Sequence, residues 1–308
     1  MKLSGIADSP ASTLPASRRP REWGSALRAS LPSSSRVSGP LRHRAIMGVQ
    51  SRRSSRIESP HVSNDEPGSG SSDYVEWKGW VDQTPFGLLS AGEAAYFTSE
   101  LKDVRAGRDG IRDVLEIGYG NGSFLAYCRS KGWNITGTEL DPGLVQAGID
   151  SGYEVFAADR MDRLAGRTFD LIAVFDVLEH IPQEAVPAFL IELSGALREG
   201  GRMIFRFPNA DSWLGNPLQN GDPTHVTAIG YLKMTFFALQ SGLEVVAFRG
   251  ARRHGFATSV ANGVYSLVAG PVIAVSAAVK RALYFPGLPV VLSTSNVVCI
   301  VRRAGASR

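Results

Sequence analysis

The sequence contains very little cysteine. Cys128 and Cys299 are the two cysteines among its 308 residues, and neither has another metal-type side chain at short spacing. A cysteine-based metal centre is therefore not indicated. Two isolated thiols are typical of a reducing compartment, so we expect the protein to be cytoplasmic.

Long hydrophobic runs are also scarce. No apolar core of the length that a secretory signal requires follows Lys2. An apolar run at Val264–Val279 has 16 residues, fewer than the ~18–20 needed to cross a bilayer, and Gly270-Pro271 interrupts it. We expect a buried helix that caps the fold. The alternative is a helix that touches a membrane peripherally, so residues 264–279 are at most a peripheral contact.

Acidic residues are rare in the first part of the chain. Residues 1–62 contain eleven Lys/Arg, three acids and fourteen serines, a net charge of +8 with no sustained apolar period. We predict a disordered basic Ser/Arg/Pro-rich tail that runs, with the polar linker that follows, over residues 1–73. Its composition also suits a transit peptide, but no clear amphipathic helix occurs, and we favour translation from Met47. Residues 63–308 are mildly acidic, with a net charge of −4, so no nucleic-acid partner is expected.

Two common nucleotide-binding signatures are missing. No Gly-Lys-Ser/Thr occurs, which excludes a phosphate-cradling Walker loop. The glycine cluster at residues 118–122 has Ser123 where the dinucleotide fingerprint requires its third glycine. What is present is a buried strand at residues 113–118 that enters Gly-x-Gly-x-Gly and then an amphipathic helix. Such a turn brings backbone N–H groups and a helix N-terminus to a ligand.

The nature of that ligand is indicated by Glu116, two residues before the first glycine. A carboxylate here repels a pyrophosphate but attracts a cofactor whose reactive end carries an ammonium and a sulfonium. S-adenosylmethionine has these groups. A second acid, Glu139, ends the next predicted strand at the spacing of a ribose-binding acid, ~20 residues after the glycines.

In this order of elements the chain resembles the class I S-adenosylmethionine-dependent methyltransferases, from about Leu88 to Arg303. The resemblance implies that S-adenosylmethionine is the cofactor and that Glu139 holds the ribose hydroxyls, with Asp159 or its neighbour Arg160 at the adenine edge. The complete set of implied cofactor-binding residues is Glu116, Gly118, Tyr119, Gly120, Gly122, Glu139, Leu140, Asp159, Arg160 and Asp176.

The regular alternation of strands and helices predicts an α/β fold, a doubly wound, mostly parallel seven-stranded sheet with a C-terminal antiparallel strand pair. We place strands near 113–118, 134–139, 153–157, 169–175, 202–207, 243–249 and 296–303, and helices near 91–104, 123–131, 142–151, 184–198 and 231–241. Gly200-Gly201 is expected to end the fourth of these helices. Residues 74–308 then form one methyltransferase domain with a helical insert at about 250–295.

Two histidines are the candidate catalytic bases. His180 follows the fourth strand and His225 follows the fifth, where ligands bind in open α/β sheets. Histidine titrates near working pH and can remove the proton of a hydroxyl acceptor, and we prefer His225 over His180. No metal is expected, although Asp176, Glu179 and the two histidines resemble the ligand set of small-RNA 2′-O-methyltransferases and some ubiquinone-pathway O-methyltransferases.

The second half of the chain bears on the acceptor. Gly221-Asp-Pro-Thr-His225 and the insert ending in Ser-Thr-Ser-Asn296 resemble methyltransferases associated with polysaccharide and O-antigen sugar biosynthesis. A sugar hydroxyl is the first expectation, and a quinone or phenol hydroxyl the second. A methyltransferase-like module that binds the cofactor without catalysis is the alternative of a different class.

Overall fold

The computed structural model describes residues 85–104, 110–252 and 260–305. The predicted tail at 1–73 and residues 74–84 of the predicted domain lie outside these ranges. Seven strands form one sheet. They are β1 (Asp113–Ile117), β2 (Asn134–Glu139), β3 (Glu154–Ala157), β4 (Phe169–Phe175), β5 (Leu197–Pro208), β6 (Leu243–Gly250) and β7 (Asn296–Arg303).

The strand order is β3-β2-β1-β4-β5-β7-β6. β1 to β5 run parallel, and β7 is antiparallel to both β5 and β6. The predicted fold class is confirmed. The chain winds outward in one direction from β1 to β3 and in the other from β4 to β6, so the topology switches between β1 and β4. Ligands of such sheets bind at the carboxyl ends of the strands at this point.

The residues that the structure describes include seven α-helices. They are α1 (Ala91–Glu100), α2 (Ser123–Ser130), α3 (Pro142–Asp150), α4 (Val186–Gly195), α5 (Asn216–Gly221), α6 (Tyr231–Gln240) and α7 (Val260–Tyr284). Local sequence sets their starts: Ser90 and Glu93 form a reciprocal capping box for α1, and Asp141 caps α3 ahead of Pro142. Short 3₁₀ turns lie at Leu101–Asp103, Ala158–Leu164 and Leu178–His180.

The two central strands are the most deeply buried part of the sheet. Every residue of β4 is buried, as are Val114 and Leu115 of β1, because helices pack on both sides of these parallel strands. Cys128 of α2 and Cys299 of β7 are buried free thiols. Burial raises the pKa of both thiols, so neither is poised to act as a nucleophile.

One predicted boundary is wrong. The helix predicted at 184–198 ends at Gly195, and Leu197 already pairs with Phe169 as the first residue of β5. Gly200-Gly201, the predicted helix terminator, therefore lies inside a strand. A Cβ at Gly201 would come within 3.0 Å of the Phe169 carbonyl oxygen, so glycine is required here by the close approach of β4 and not by a helix end.

The helix in the insert also differs from expectation. α7 continues through Gly270-Pro271 for 25 residues, and no residue of Leu267–Tyr284 is buried. The prediction of a buried cap helix is thus wrong, because the valines and leucines between Val264 and Leu283 are exposed. By length and composition alone, Leu267–Tyr284, with a mean hydropathy of 1.4, could cross a membrane.

Candidate active site

The glycine turn between β1 and α2 requires glycine for two reasons. Gly118 and Gly122 have φ angles of 69° and 78°, a backbone region that residues with a Cβ rarely adopt. The space is also closed, because a Cβ at Gly118 would lie 2.6 Å from a Val177 methyl and one at Gly122 would lie 2.6 Å from the Phe86 ring. The turn therefore brings the bare backbone of residues 118–122 to the switch point of the sheet.

A cleft of about 160 Å³ opens beside this turn. Its apolar wall consists of Phe97, Phe124 and Phe175, which pack edge to face or stacked on one another. Its polar lining residues include Glu116, Asp176, His180 and Arg206, with Asn121 and Ser123 at the turn. The backbone of the turn, including Gly118, Tyr119 and Gly120, completes the lining. The sequence-predicted residues Glu116, Gly118, Tyr119, Gly120, Asp176 and His180 thus meet in one cleft.

Glu116 is the most unusual group in the cleft. The residue is only 3% exposed, and its Oε2 atom has no hydrogen-bond partner among the described residues. Burial raises the pKa of Glu116 well above its ordinary value, and the nearby charge of Glu139 adds to the effect. A buried carboxyl that lacks a partner is suited to receive a cationic group of a ligand.

Glu139 fastens the glycine turn to the end of β2. One of its carboxylate oxygens accepts the Gly120 N–H at 2.9 Å, and the other accepts the N–H groups of Leu140 at 2.6 Å and Asp141 at 3.3 Å. Burial raises the pKa of Glu139, although the three backbone donors act in the opposite direction. A carboxylate has about four acceptor positions, so this one can also accept hydroxyls from a ligand.

The other predicted cofactor residues are divided between the cleft and its surroundings. Asp159 follows β3, two residues after Ala157, the partner of Glu139 in the sheet register. It is exposed, and Arg160 pairs with Asp162 at 3.3 Å. The side chain of Leu140 packs against the core. These residues lie on the correct edge of the sheet but do not line the cleft itself.

Asp176 holds the far side of the cleft through an ion pair with Arg206. It has a φ of 55°, unusual for a residue other than glycine, and its backbone N–H donates to the Arg206 carbonyl oxygen at 2.8 Å. The Arg206 guanidinium donates from Nε to Oδ1 at 2.9 Å and bonds Oδ2 as well. Sequence reasoning missed Arg206, although an arginine in the otherwise apolar run Met203–Phe207 was a usable signal.

The two predicted histidines meet beside the cleft. Their ring centroids are 4.6 Å apart. The loops that carry them are joined because the Thr227 N–H donates to the Glu179 carbonyl oxygen at 3.0 Å. His180 lines the cleft, whereas His225 lies outside its lining, with Nε2 at 3.5 Å from an Asp222 oxygen.

A hydrogen-bond chain sets the tautomer of His180. The Thr224 hydroxyl lies 2.6 Å from Asp222 Oδ1 and 2.8 Å from His180 Nδ1. A carboxylate can only accept, so the Thr224 hydroxyl donates to Asp222 and accepts from His180. The proton of a neutral His180 ring is therefore on Nδ1, and the lone pair is on Nε2. Sequence reasoning missed the roles of Asp222 and Thr224, which depend on this contact between two loops.

The same histidines offer a possible metal site. One ligand atom each from Glu179, His180 and His225 lie within 4.8 Å of one another. Asp176, which the resemblance noted from the sequence includes in this set, is not part of it and is paired with Arg206. Two imidazoles and a carboxylate form a donor set that suits Zn²⁺ or Mn²⁺. Mg²⁺ prefers oxygen ligands and therefore fits this set less well.

A second cavity of about 240 Å³ adjoins the cleft and shares Arg206 with it. Its walls come from Tyr96 of α1, from Ala251 and Arg252 after β6, and from residues 294–296 at the start of β7. Thr294 Oγ1 and Asn296 Oδ1 are buried and have no hydrogen-bond partner in the described part of the chain. Both residues line the cavity, so its wall contains polar groups whose hydrogen-bonding capacity is unused.

A family comparison matches this architecture. The profile of a methyltransferase domain covers residues 91–247, just over half of the chain. The chain belongs to this methyltransferase family. Its described fold and the strand order at the switch point agree with the assignment, and the predicted class I S-adenosylmethionine-dependent methyltransferase domain is confirmed.

Individual relatives of the methyltransferase are distant. The ubiquinone biosynthesis O-methyltransferase of Paraburkholderia xenovorans is 28% identical over 102 residues, 30% of this chain and 43% of that protein. The Ralstonia nicotianae protein of the same description is 26% identical over 157 residues, 44% of this chain and 65% of that protein. The matches therefore span less than two thirds of either relative. A SAM-dependent methyltransferase from Archaeoglobus fulgidus shares the fold, with a TM-score of 0.50 and 18% identity over 69% of this chain and 92% of that one.

S-adenosylmethionine, the cofactor of this family, fits the residues of the cleft. The unpartnered Glu116 oxygen suits the ammonium group of the cofactor, and Glu139 suits its ribose hydroxyls. The turn at 118–122 has no side chains at its glycines, so the cofactor can come close to the backbone there. The cleft is smaller than the ~300–1,000 Å³ of a typical enclosed ligand pocket. It can therefore enclose one part of the cofactor, and the remainder would extend toward Glu139 and the exposed Asp159.

Proposed function

We propose that this methyltransferase transfers a methyl group to a hydroxyl oxygen of a small-molecule acceptor, with a sugar hydroxyl as the preferred acceptor. The observation that carries the proposal is the chain Asp222–Thr224–His180, which turns the lone pair of His180 to Nε2 in a histidine that lines the cofactor cleft. A hydroxyl is a weak nucleophile until its proton is removed, so an oriented base is most useful for this class of acceptor.

The proposed reaction is an in-line displacement. S-adenosylmethionine supplies an electrophilic methyl group on a sulfonium sulfur; the new C–O bond forms as the C–S bond breaks. His180 Nε2 takes the hydroxyl proton, while its Nδ1–H remains bonded to Thr224. The resulting imidazolium lies near the Asp222 carboxylate, which stabilises its charge through the threonine. Phe97, Phe124 and Phe175 exclude water from the reacting atoms.

The polar cavity beside the cleft supports a sugar over a flat apolar acceptor. Buried Thr294 Oγ1 and Asn296 Oδ1 lack partners in the described ranges, and leaving such atoms without a hydrogen bond costs ~1–3 kcal/mol each. A polyhydroxyl ligand can satisfy both atoms, whereas a quinone or phenol has few groups that could do so. The curated relatives favour the second candidate, because they are described as ubiquinone biosynthesis O-methyltransferases.

The remaining predictions keep their place in the proposal. His225 stays the alternative base, and a non-catalytic module that binds the cofactor stays the alternative of a different class. We propose a cytoplasmic location, no nucleic-acid partner and, through residues 264–279, a peripheral membrane contact. The last point is developed in the following subsection.

The test is methyl transfer from labelled S-adenosylmethionine by the purified full chain. Nucleotide-linked sugars and catechols are offered in parallel, and products are treated with mild base, which an ether survives and an ester does not. Base-stable label on sugars is the expected result. Label on catechols alone would favour the quinone-type acceptor. Cofactor binding by calorimetry, without label on any acceptor in a broad pool, would favour the non-catalytic module.

A further inference from the structure

Helix α7 exposes its apolar side chains, which is the opposite of what a helix on a water-facing surface normally does. Its exposed valines and leucines recur at spacings of three and four residues, which places them on one side of the helix. They are Val264, Val268, Val272, Val275, Val279 and Leu283, each at least half exposed. The positions on the other side of the helix are partly covered. Three of them are small residues, Ala269, Gly270 and Ala277, and one is the larger Ile273.

Such a stripe on one helix needs a partner, and the charges around α7 indicate which kind. Residues 250–295 contain Arg252, Arg253, Lys280 and Arg281 and no acidic residue. Arg252 pairs with Asp103 at 2.7 Å, whereas Lys280 and Arg281 are exposed on α7. The rest of residues 63–308 carries a net charge of −8. The apolar stripe is thus embedded in the basic part of an otherwise acidic domain. This pattern is complementary to an apolar surface with negative headgroups.

Aromatic side chains near the C-terminal part of α7 agree with this reading. Trp213 is 67% exposed, and Lys280 Nζ lies 5.9 Å from the centre of its ring. Tyr284, at the end of α7, is also largely exposed. Tryptophan, tyrosine and lysine are favoured where hydrocarbon meets headgroups, because each combines an apolar body with a polar end.

The chain geometry argues against a crossing of the bilayer. Val290 is packed against the domain, and the neighbouring Val291 carbonyl oxygen accepts from Asn209 at 2.7 Å. The six Cα-to-Cα steps from Tyr284 to Val290 can span at most ~21 Å, which is less than the ~30 Å hydrocarbon core. A crossing would therefore leave irregular backbone inside the hydrocarbon, where its polar groups have no partners.

We propose that α7 lies flat in the interface of an anionic lipid bilayer, with the stripe from Val264 to Leu283 in the acyl region and Trp213, Lys280 and Arg281 at headgroup level. Both ends of the insert that carries α7 also line the second cavity, at Ala251–Arg252 and at residues 294–296. One consequence rests on the proposed function: an acceptor hydroxyl carried on a lipid could reach this cavity without leaving the interface. The docking itself requires no catalysis.

The experiment measures co-sedimentation of the full chain with vesicles of phosphatidylcholine, alone or mixed with phosphatidylglycerol. Binding to the mixed vesicles is expected, with weaker binding to neutral ones. The double variant Val272→Asp/Val275→Asp should lose about tenfold or more in vesicle affinity, because it places charges in the acyl region. Its unfolding temperature and S-adenosylmethionine affinity should not change, since both side chains are exposed.

The matched control is Leu232→Asp/Leu239→Asp on α6, where both leucines are also exposed. It should bind vesicles as the unchanged chain does. An equal loss in the control would overturn the proposal, because general surface hydrophobicity would then explain binding. No sedimentation with anionic vesicles would also overturn it. So would a concentration-dependent dimer that Val272→Asp/Val275→Asp abolishes without vesicle binding, since a second copy of the chain would then cover the stripe.

Depth is measured separately by fluorescence quenching with lipids brominated at different positions. The part of the tryptophan quenching that is absent in Trp213→Phe is due to Trp213. It should be strongest for lipids whose bromines lie near the headgroups. Strongest quenching at the chain ends would contradict a helix lying flat in the interface. Because these measurements use no acceptor, their failure is distinguishable from failure of the proposed methyl transfer.

Discussion

At the scale of single residues, Glu116 couples stability to cofactor binding. Its pKa is raised by burial and by Glu139, so the folded chain holds this proton to a higher pH than the unfolded chain does. The free energy of unfolding therefore falls as pH rises from the ordinary pKa of a glutamate to the raised one. An ammonium ligand prefers the ionised carboxylate, so cofactor affinity should rise over the same interval, with release of a proton.

Glu116→Gln should separate these two effects. We expect S-adenosylmethionine affinity to fall ~10- to 100-fold, because a charge-assisted hydrogen bond of ~1.5–3 kcal/mol is lost, and to lose its rise with pH. Without cofactor, the variant should be more stable than the unchanged chain, by a margin that grows with pH over that interval. Calorimetry in buffers of different ionisation enthalpy and urea unfolding at several pH values measure both.

Glu192→Gln is the matched control for this substitution. Burial raises the pKa of Glu192 too, but this residue lies on α4 and lines a depression at the opposite, amino-terminal edge of the sheet. Its variant should change stability without changing cofactor affinity. NADH and ATP are measured as comparison ligands. If Glu116→Gln binds S-adenosylmethionine as tightly as the unchanged chain does, Glu116 does not hold the ammonium group.

The base can be assigned by comparing three variants. If His180 removes the acceptor proton, His180→Ala should lower kcat by ~10²–10⁴, and the defect should shrink as pH rises. Thr224→Val should lower kcat as well, because the Asp222–Thr224 bond no longer fixes the tautomer, and Thr224→Ser should restore it. If His225 is the base, as the sequence alone favoured, His225→Ala should have the larger defect. Full activity of both alanine variants would indicate that positioning alone drives the transfer.

A metal at Glu179, His180 and His225 predicts a different outcome. EDTA should then abolish turnover, and Zn²⁺, Mn²⁺ or Mg²⁺ should restore it, since the ligand atoms within 4.8 Å of one another would require the ion for their alignment. Glu179→Gln should be as inactive as the histidine variants. Turnover that survives exhaustive chelation, with no metal in the purified protein, would exclude this role and leave the histidines to proton transfer.

At the scale of elements, the turn between β1 and α2 depends on backbone that only glycine accepts. Gly118→Ala should destabilise the domain by ~1–3 kcal/mol, because the new methyl group meets Val177 and the φ of 69° is unfavourable. Cofactor affinity should fall too, as the turn moves. The control is Gly195→Ala at the end of α4, where a Cβ meets nothing within 4 Å. Equal effects of the two substitutions in urea unfolding and calorimetry would contradict this account.

The elements that sequence predicted well are those whose signal is local. The strand β4 contains a continuous apolar run from Leu171 to Phe175, and Asp141-Pro142 marks the start of α3 in two residues. The end of α4 could not be predicted in this way, because Leu197 becomes a strand through its pairing with Phe169, far away in sequence.

The candidate site was predicted to a similar extent. Glu116 and Glu139 follow from their positions at strand ends; Glu116 lines the cleft, and Glu139 accepts the Gly120 N–H of the adjoining turn. The contact of Thr224 with His180 depends on two loops that meet only in the folded chain. The exposure of α7 was mispredicted because the hydrophobicity of a helix face indicates that the face will be covered. It does not indicate whether the rest of the chain or another partner covers it.

At the scale of the whole molecule, charge is unevenly divided in a way that bears on membrane binding. Residues 1–62 carry a net charge of +8, the insert at 250–295 carries +4, and the remainder carries −8. Each basic residue near an anionic surface contributes ~1 kcal/mol, so the predicted tail could by itself attract the chain to a membrane. The tail and α7 therefore have to be tested separately.

Removal of residues 1–62 makes this separation. The chain 63–308 retains all seven strands and the residues that line the cleft, so its unfolding temperature and S-adenosylmethionine affinity should match those of the full chain. It should bind anionic vesicles more weakly but measurably, because the stripe of α7 supplies the apolar contact, and Val272→Asp/Val275→Asp should remove what is left. Complete loss of binding on truncation would assign the membrane contact to the tail. A large drop in unfolding temperature would instead show that the tail stabilises the fold.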